Sequence, residues 1–154
     1  MSIPQPADHE YILNKMRVFC NYQERCIQDV QRKLQSWNVT EKVSGEIILA
    51  LEKEGLVDEE RFARVYAGSK FRLNKWGRNR IAYELRKKNI PGLYIQIGLR
   101  EIDDEEYIEA LKQIISRKSF SLKEDNATRM KNKLAAYAVS RGYETSLVLD
   151  VLNE

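Results

Sequence analysis

The chain has 154 residues, 43% hydrophobic and 32% charged, with 26 Lys or Arg against 23 Asp or Glu and a formal net charge of +3. That composition supports a modest apolar core, in one domain or in several very small ones. It excludes a membrane-spanning helix, because no apolar run approaches the ~18 residues one needs, and the single histidine excludes the usual zinc ligand sets.

Met1 to Pro6 carries neither a charged start nor an apolar stretch, so no signal peptide is expected and the chain is placed in the cytoplasm. Cys20 and Cys26 are then expected as free thiols. Residues 1–20 are expected as a flexible N-terminal extension. From there the periodicity is helical. Cys26, Val30, Leu34 and Trp37 share one helix face, ended by Asn38. Thr40 caps a second helix with Val43, Ile47, Ile48 and Leu51 inside, and Gly55 follows as its C′ residue. Asp58 caps a third, with Glu59 and Glu60 at its positive end and an inner stripe of Phe62, Val65, Tyr66, Ser69 and Leu73.

The pattern then restarts. Gly77 opens a helix with Ile81 and Leu85 inside, ending at Asn89. Pro91 suits the first turn of the next, although Ile95, Ile97 and Leu99 alternate and also admit a strand. Asp103 and Glu106 have capping-box spacing before the stripe Tyr107, Ala110, Leu111, Ile114 and Ile115. Ser116 to Asp125 reads as a linker. A further helix carries Met130, Leu134, Tyr137 and Ala138, broken at Arg141-Gly142-Tyr143, and a last one carries Leu147, Val148 and Val151.

These segments superpose. Val30, Leu34, Asn38 and Val39 match Ile81, Leu85, Asn89 and Ile90 at an offset of 51, and those match Leu134, Ala138, Gly142 and Tyr143 at an offset of 53. Val57, Asp58 and Phe62 match Ile102, Asp103 and Tyr107 in the same way. The expected fold is all-α: an elongated tandem array of three-helix modules over 21–73, 74–119 and 120–154, the third truncated after its second helix. Such small units must share apolar surface with their neighbours.

Charge is distributed unevenly. From Arg61 to Lys88 there are ten Lys or Arg and one acid, Glu84, with a second basic stretch between Lys112 and Lys133. An acid-poor basic segment suits an anionic partner, either nucleic acid or an acidic protein surface. The candidate contact residues are Arg64, Lys70, Arg72, Lys75, Arg78, Arg80, Arg86, Lys87 and Lys88. Phe71 and Trp76 could stack on unpaired bases, but their position at a repeat junction favours packing. The six acids between Glu101 and Glu109 lack calcium-loop spacing and read as helix-start acids. Cys26 lies on an apolar face and reads as a small core residue. No nucleophile–base pair and no glycine-rich phosphate loop occurs, so neither an enzyme nor a cofactor is expected.

Gly55-Leu56-Val57-Asp58-Glu59-Glu60-Arg61-Phe62-Ala63, then Lys75-Trp76-Gly77-Arg78, then Ile81-Ala82-Tyr83-Glu84-Leu85-Arg86-Lys87-Lys88-Asn89-Ile90 resembles the RecX family of RecA regulators. The family pattern is an acidic-start D-x-x-R-F-A, a run to a glycine, then I-x-x-E-L-x-x-K-G-I. The opening Cys20-Asn21-Tyr22-Gln23-Glu24-Arg25-Cys26 and Lys75-Trp76-Gly77 resemble the version found in Bacteroides-type bacteria. Asn89 stands where glycine is usual, and asparagine tolerates the same left-handed backbone. The resemblance implies a cytoplasmic, monomeric, non-enzymatic regulator of recombination and the SOS response. Its implied partners are RecA and the RecA–DNA filament, with single- or double-stranded DNA as a direct partner as well. The alternative is an independent DNA-binding helical module acting through its basic face.

Overall fold

The computed structural model describes residues 6–154, and every element among them is an α-helix. In chain order these are α1 (Pro6–Tyr22), α2 (Ile27–Ser36), α3 (Glu41–Lys53), α4 (Glu59–Asn74), α5 (Arg78–Lys87), α6 (Gly92–Leu99), α7 (Asp104–Ser121), α8 (Ala127–Ser140) and α9 (Thr145–Leu152). The expectation of no signal peptide rests on Met1 to Pro6, of which residues 1–5 lie outside the described residues.

Local chemistry sets most helix ends. Thr40, Asp58, Asp103 and Asn126 each accept the N–H three residues on, at 3.3, 3.0, 3.0 and 2.9 Å, satisfying one of the donors a helix start leaves unpaired. The aligned stop positions share one geometry. Asn38, Asn89 and Gly142 have φ of 58°, 61° and 101°. The following N–H reaches back five residues, from Val39 to Leu34, Ile90 to Leu85 and Tyr143 to Ala138, at 3.1, 3.1 and 3.2 Å. This is a Schellman-type closure repeated three times. The sequence repeat therefore records a repeated backbone turn.

Four expectations change. Residues 6–20 are not a flexible extension: they belong to α1, which buries Leu13, Met16 and Cys20 against α2 and α3. The segment containing Ile95, Ile97 and Leu99 is helical, because it lies along α4 and no strand among the described residues could pair with it. More than half of the expected linker is helix, since α7 continues to Ser121. The inner stripe of α4 is Phe62, Ala63, Ala67, Gly68 and Phe71, while Val65 and Leu73 face solvent. The cause is a close helix crossing: a Cβ on Gly98 would stand 2.7 Å from the Ala63 carbonyl oxygen. Small residues let α4 and α6 meet backbone to backbone, and a stripe of large side chains would hold them apart.

Packing also sets the frame of the array. The substantial helix contacts join α1 and α2 to α3, α4 to α5 and α6, α5 to α6, and α8 to α7 and α9. Three units result, α1–α3, α4–α6 and α7–α9, shifted one helix from the frame read out of the repeat. In this frame the final pair of helices is completed by α7, and α1 takes the leading place in the first unit.

The two junctions differ. Units two and three share one core, through which Phe71, Tyr107 and Tyr143 follow in series, the first pair tilted and the second stacked, at 5.8 and 4.9 Å between ring centroids. Unit one has its own core of Leu13, Met16, Val30, Leu34, Ile47 and Leu51 among others. Its connection to unit two inserts Cys26 into the core of the other units and adds polar contacts: Arg61 to Glu24 at 2.6 Å, Lys88 to Asp29 at 3.2 Å, and the Glu59 carboxylate accepting the Ile27 N–H at 3.1 Å.

Candidate functional site

A groove lies at that junction. It encloses about 660 Å³ between the end of α1, α2, the outer face of α4 and Lys88 at the end of α5. Phe19, Phe62, Val65 and Tyr66 supply its apolar wall, and Arg25, Arg32, Lys33, Lys70 and Lys88 its cations.

The bases on this wall are not equivalent. Lys88 is neutralised by Asp29, whose second oxygen accepts the Cys26 N–H at 3.1 Å and anchors the start of α2. Glu24, the other acid at the rim, is taken by Arg61. Both acids are thereby occupied. Arg25, Arg32, Lys33 and Lys70 have no ion-pair partner among the described residues. Aromatic faces hold three of them instead. The Arg25 guanidinium lies 3.7 Å from the Phe19 ring centroid and donates to the Phe19 carbonyl at 3.1 Å. Lys33 sits between Phe19 and Trp37 at 5.8 and 5.7 Å, and Lys70 between Tyr66 and Trp76 at 5.5 and 5.0 Å. A ring face orients a cation without cancelling its charge, contributing about 0.5–1 kcal/mol at an exposed site. Burial pushes the Tyr66 phenol up to about 12, so it keeps its proton at neutral pH. The groove is equipped to receive an anionic, partly apolar surface.

The predicted contact residues scatter around this groove. Lys70 and Lys88 line it. Arg80 lies 4.2 Å over the Trp76 ring, which packs against the core and edge-on to Tyr66. Arg72 and Arg86 are exposed and form no ion pair among the described residues. Lys87 reaches Glu84 at 3.5 Å and Arg64 reaches Glu60 and Glu101 at 3.2 and 3.6 Å, all with exposed cations. Lys75 turns to another cleft, with Arg117, Lys118 and Arg141.

Arg78 is committed internally. Its guanidinium stacks 3.9 Å from the Tyr107 ring and holds Asp104 at 2.6 Å and Glu144 at 3.0 Å. Its backbone N–H donates to the Tyr107 hydroxyl at 2.9 Å, which in turn donates to Glu144. Burial, with Glu144 as acceptor, holds the Tyr107 phenol above its ordinary range. This network fastens unit two to unit three.

Arg25, Arg32 and Lys33 lie outside the basic segment that stands out in the sequence, and so were not among the predicted contacts. A partial signal exists: Arg32 and Lys33 flank Val30 and Leu34 on the polar side of α2. The acids after Glu101 behave as helix-start residues, with Asp103 capping α7 and Asp104 and Glu101 meeting arginines. Both cysteines are free and buried, and burial pushes each thiol up to about 11. Among the described residues no group of His, Cys, Asp or Glu is placed to hold a metal ion, and no helix is long and apolar enough to cross a membrane.

Known proteins share this architecture. A family model described as RecX, second three-helix domain, matches residues 58–99, the span of α4 to α6. Regulatory protein RecX of Clostridium acetobutylicum is 33% identical over 131 residues, covering 82% of this chain and 60% of the relative. The Oceanobacillus iheyensis protein of the same name is 26% identical, covering 88% of this chain and 50% of its own length. That of Prosthecochloris aestuarii is 27% identical, covering 96% and 95%. The chain thus spans about half to three-fifths of the first two relatives and nearly all of the third. The fold is that of a crystal structure of regulatory protein RecX, with a TM-score of 0.88 at 21% identity over 96% of this chain and 75% of the other. RecX from Lactobacillus salivarius gives 0.87 at 20% identity over 97% of both chains. With the α4–α6 unit matched by its own family description, and relatives of one name aligned along most of its length, the chain belongs to the RecX family of regulatory proteins.

Proposed function

We propose that this protein binds RecA, or the RecA–DNA filament, and restrains its recombinase activity without chemistry of its own. The observation that carries this reading is the groove between units one and two, where four cations stand without acids and three of them rest on ring faces. An acidic protein surface entering it would gain charge-assisted contacts while covering Phe19 and Tyr66. The exposed bases Arg64, Arg72, Arg86 and Lys87 extend the contact surface, together with the half-buried Arg80. Arg78 and Lys88 are left out because each is half-buried against carboxylates that already satisfy its charge. A ligand that binds one assembly state better than another shifts the equilibrium by its differential affinity, so no catalytic step is required. The reading also places the protein in the cytoplasm as a monomer.

The test is RecA ATPase and strand exchange on single-stranded DNA with the full chain at stoichiometric ratio. The expected result is strong inhibition, lost when Arg32, Lys33 and Lys70 are together changed to Glu. Unchanged RecA activity with the natural chain would refute the regulator reading. Full inhibition by the triple variant would remove the groove from it. Binding to DNA alone, with no effect on RecA, would favour an independent DNA-binding module.

A further inference from the structure

A second cationic cleft lies where units two and three meet. Lys75 after α4, Arg117, Lys118 and Ser121 on α7, and Tyr137 and Arg141 on or just after α8 line a cavity of about 340 Å³. No acid lines it, and none of its four cations forms an ion pair among the described residues. Neighbouring bases do find acids: Arg78 has Asp104 and Glu144, Lys112 has Glu154 and Lys133 has Glu124. The four cations of the cleft therefore keep their charge uncancelled and face one shared space.

Its positions are also built. Lys75 occupies a left-handed turn, and its carbonyl accepts the Tyr143 hydroxyl at 2.9 Å across the junction. Lys118 sits 4.7 Å from the Tyr137 ring centroid. Arg141 donates from one terminal guanidinium nitrogen to the Asn74 carbonyl, while its Nε is buried with no acceptor. An oxygen of a bound anion would satisfy this buried donor while neutralising the cations around it.

We propose that this cleft binds a phosphate group. Lysines supply point charge and arginine a planar fork matched to phosphate oxygens, and the Tyr137 hydroxyl adds a neutral donor. The group can be carried by a nucleic-acid strand as a phosphodiester or arrive as free inorganic phosphate. The site is separate from the groove assigned to RecA, and its test contains no RecA, so either reading can fail alone.

The experiment compares the full chain with Arg117→Gln/Lys118→Gln, which leaves Arg141 and its bond to Asn74 in place. One arm measures anisotropy of a labelled single-stranded oligonucleotide across a salt series. The other measures inorganic phosphate binding by calorimetry. A phosphodiester ligand predicts affinity about tenfold weaker in the variant at low salt, with the log–log salt slope lower by about 1.4 for two lost contacts. A free-phosphate ligand predicts loss confined to the calorimetric arm. Matching far-UV circular dichroism confirms that the variant is folded, and Lys118→Gln alone serves if the double variant is not. No binding by the natural chain in either arm, or equal binding by chain and variant in both, overturns the proposal.

Discussion

Gly77→Ala is the sharpest perturbation available, because it adds one methyl group where backbone meets backbone. Gly77 has an ordinary φ of −75°, so the glycine is not there for conformational freedom. It is there for space. A Cβ at this position would stand 2.2 Å from the Gly142 carbonyl carbon and 2.3 Å from both the Gly142 oxygen and the Tyr143 nitrogen. Ordinary carbon contacts need about 3.5 Å or more, so the turn after α8 must move by over ~1 Å. That movement strains the bonds from the Gly77 N–H to the Arg141 carbonyl and from the Asn79 N–H to the Gly142 carbonyl, both 2.9 Å, and the Tyr143–Lys75 bond at 2.9 Å. Three such bonds contribute roughly 3 kcal/mol together. Overpacking adds ~1–3 kcal/mol, and the stiffer unfolded chain returns ~0.4–1 kcal/mol. If about half of the bond energy is lost, the net destabilisation is about 3 kcal/mol. Urea unfolding followed by circular dichroism should show a clear fall in midpoint. Gly45→Ala is the control with opposite sign: Gly45 lies inside α3, and a Cβ there would meet no neighbouring atom within 4 Å, so about 0.5–1 kcal/mol of stabilisation is expected. A Gly77→Ala protein within ~0.5 kcal/mol of the natural one would refute the close docking of units two and three.

Arg78→Gln should cost about 2 kcal/mol, because it leaves Glu144 and Asp104 without their cation at the same junction; a thermal melt would show it, and an unchanged melting point would argue that the network is decorative. Leu85, fully buried in α5, should cost about 2–5 kcal/mol when changed to Ala, read from the same urea curves. The two thiols give a pH signature. Their folded values lie near 11, above the usual thiol range, so the folded state holds these protons more tightly than the unfolded one. That contribution is whole below about pH 8.5 and disappears as pH rises to about 11, removing about 3 kcal/mol per thiol. The difference between the natural chain and Cys20→Ala/Cys26→Ala should shrink across that window; a constant difference would show that the thiols are not held neutral by burial.

Much of the architecture is written in short-range patterns. Thr40, Asp58 and Asp103 act on N–H groups three residues away, and Asn38, Asn89 and Gly142 close turns five residues long. A helix start or stop decided within one turn of chain is legible without knowing what the helix packs against. The repeat, the all-helical fold and the family follow from such patterns. Helix α1 carried its signal too, in Leu13, Met16 and Cys20 at helical spacing, but its polar, histidine-bearing beginning obscured it.

What tertiary structure alone decided is which helices share a unit and which charges remain free. Ala63, Ala67 and Gly98 are weak apolar signals in sequence, yet their small size lets α4 and α6 touch and so shifts the frame of the array by one helix. Arg78 and Lys70 look alike in sequence. One meets two carboxylates 26 and 66 residues further along the chain, and the other meets only ring faces. The charge of a side chain is a property of its residue type, but its availability depends on partners that folding brings from afar. The segment's basic character was therefore readable from sequence, while the groove that joins Lys70 to Arg25, Arg32 and Lys33 exists only once units one and two are set side by side.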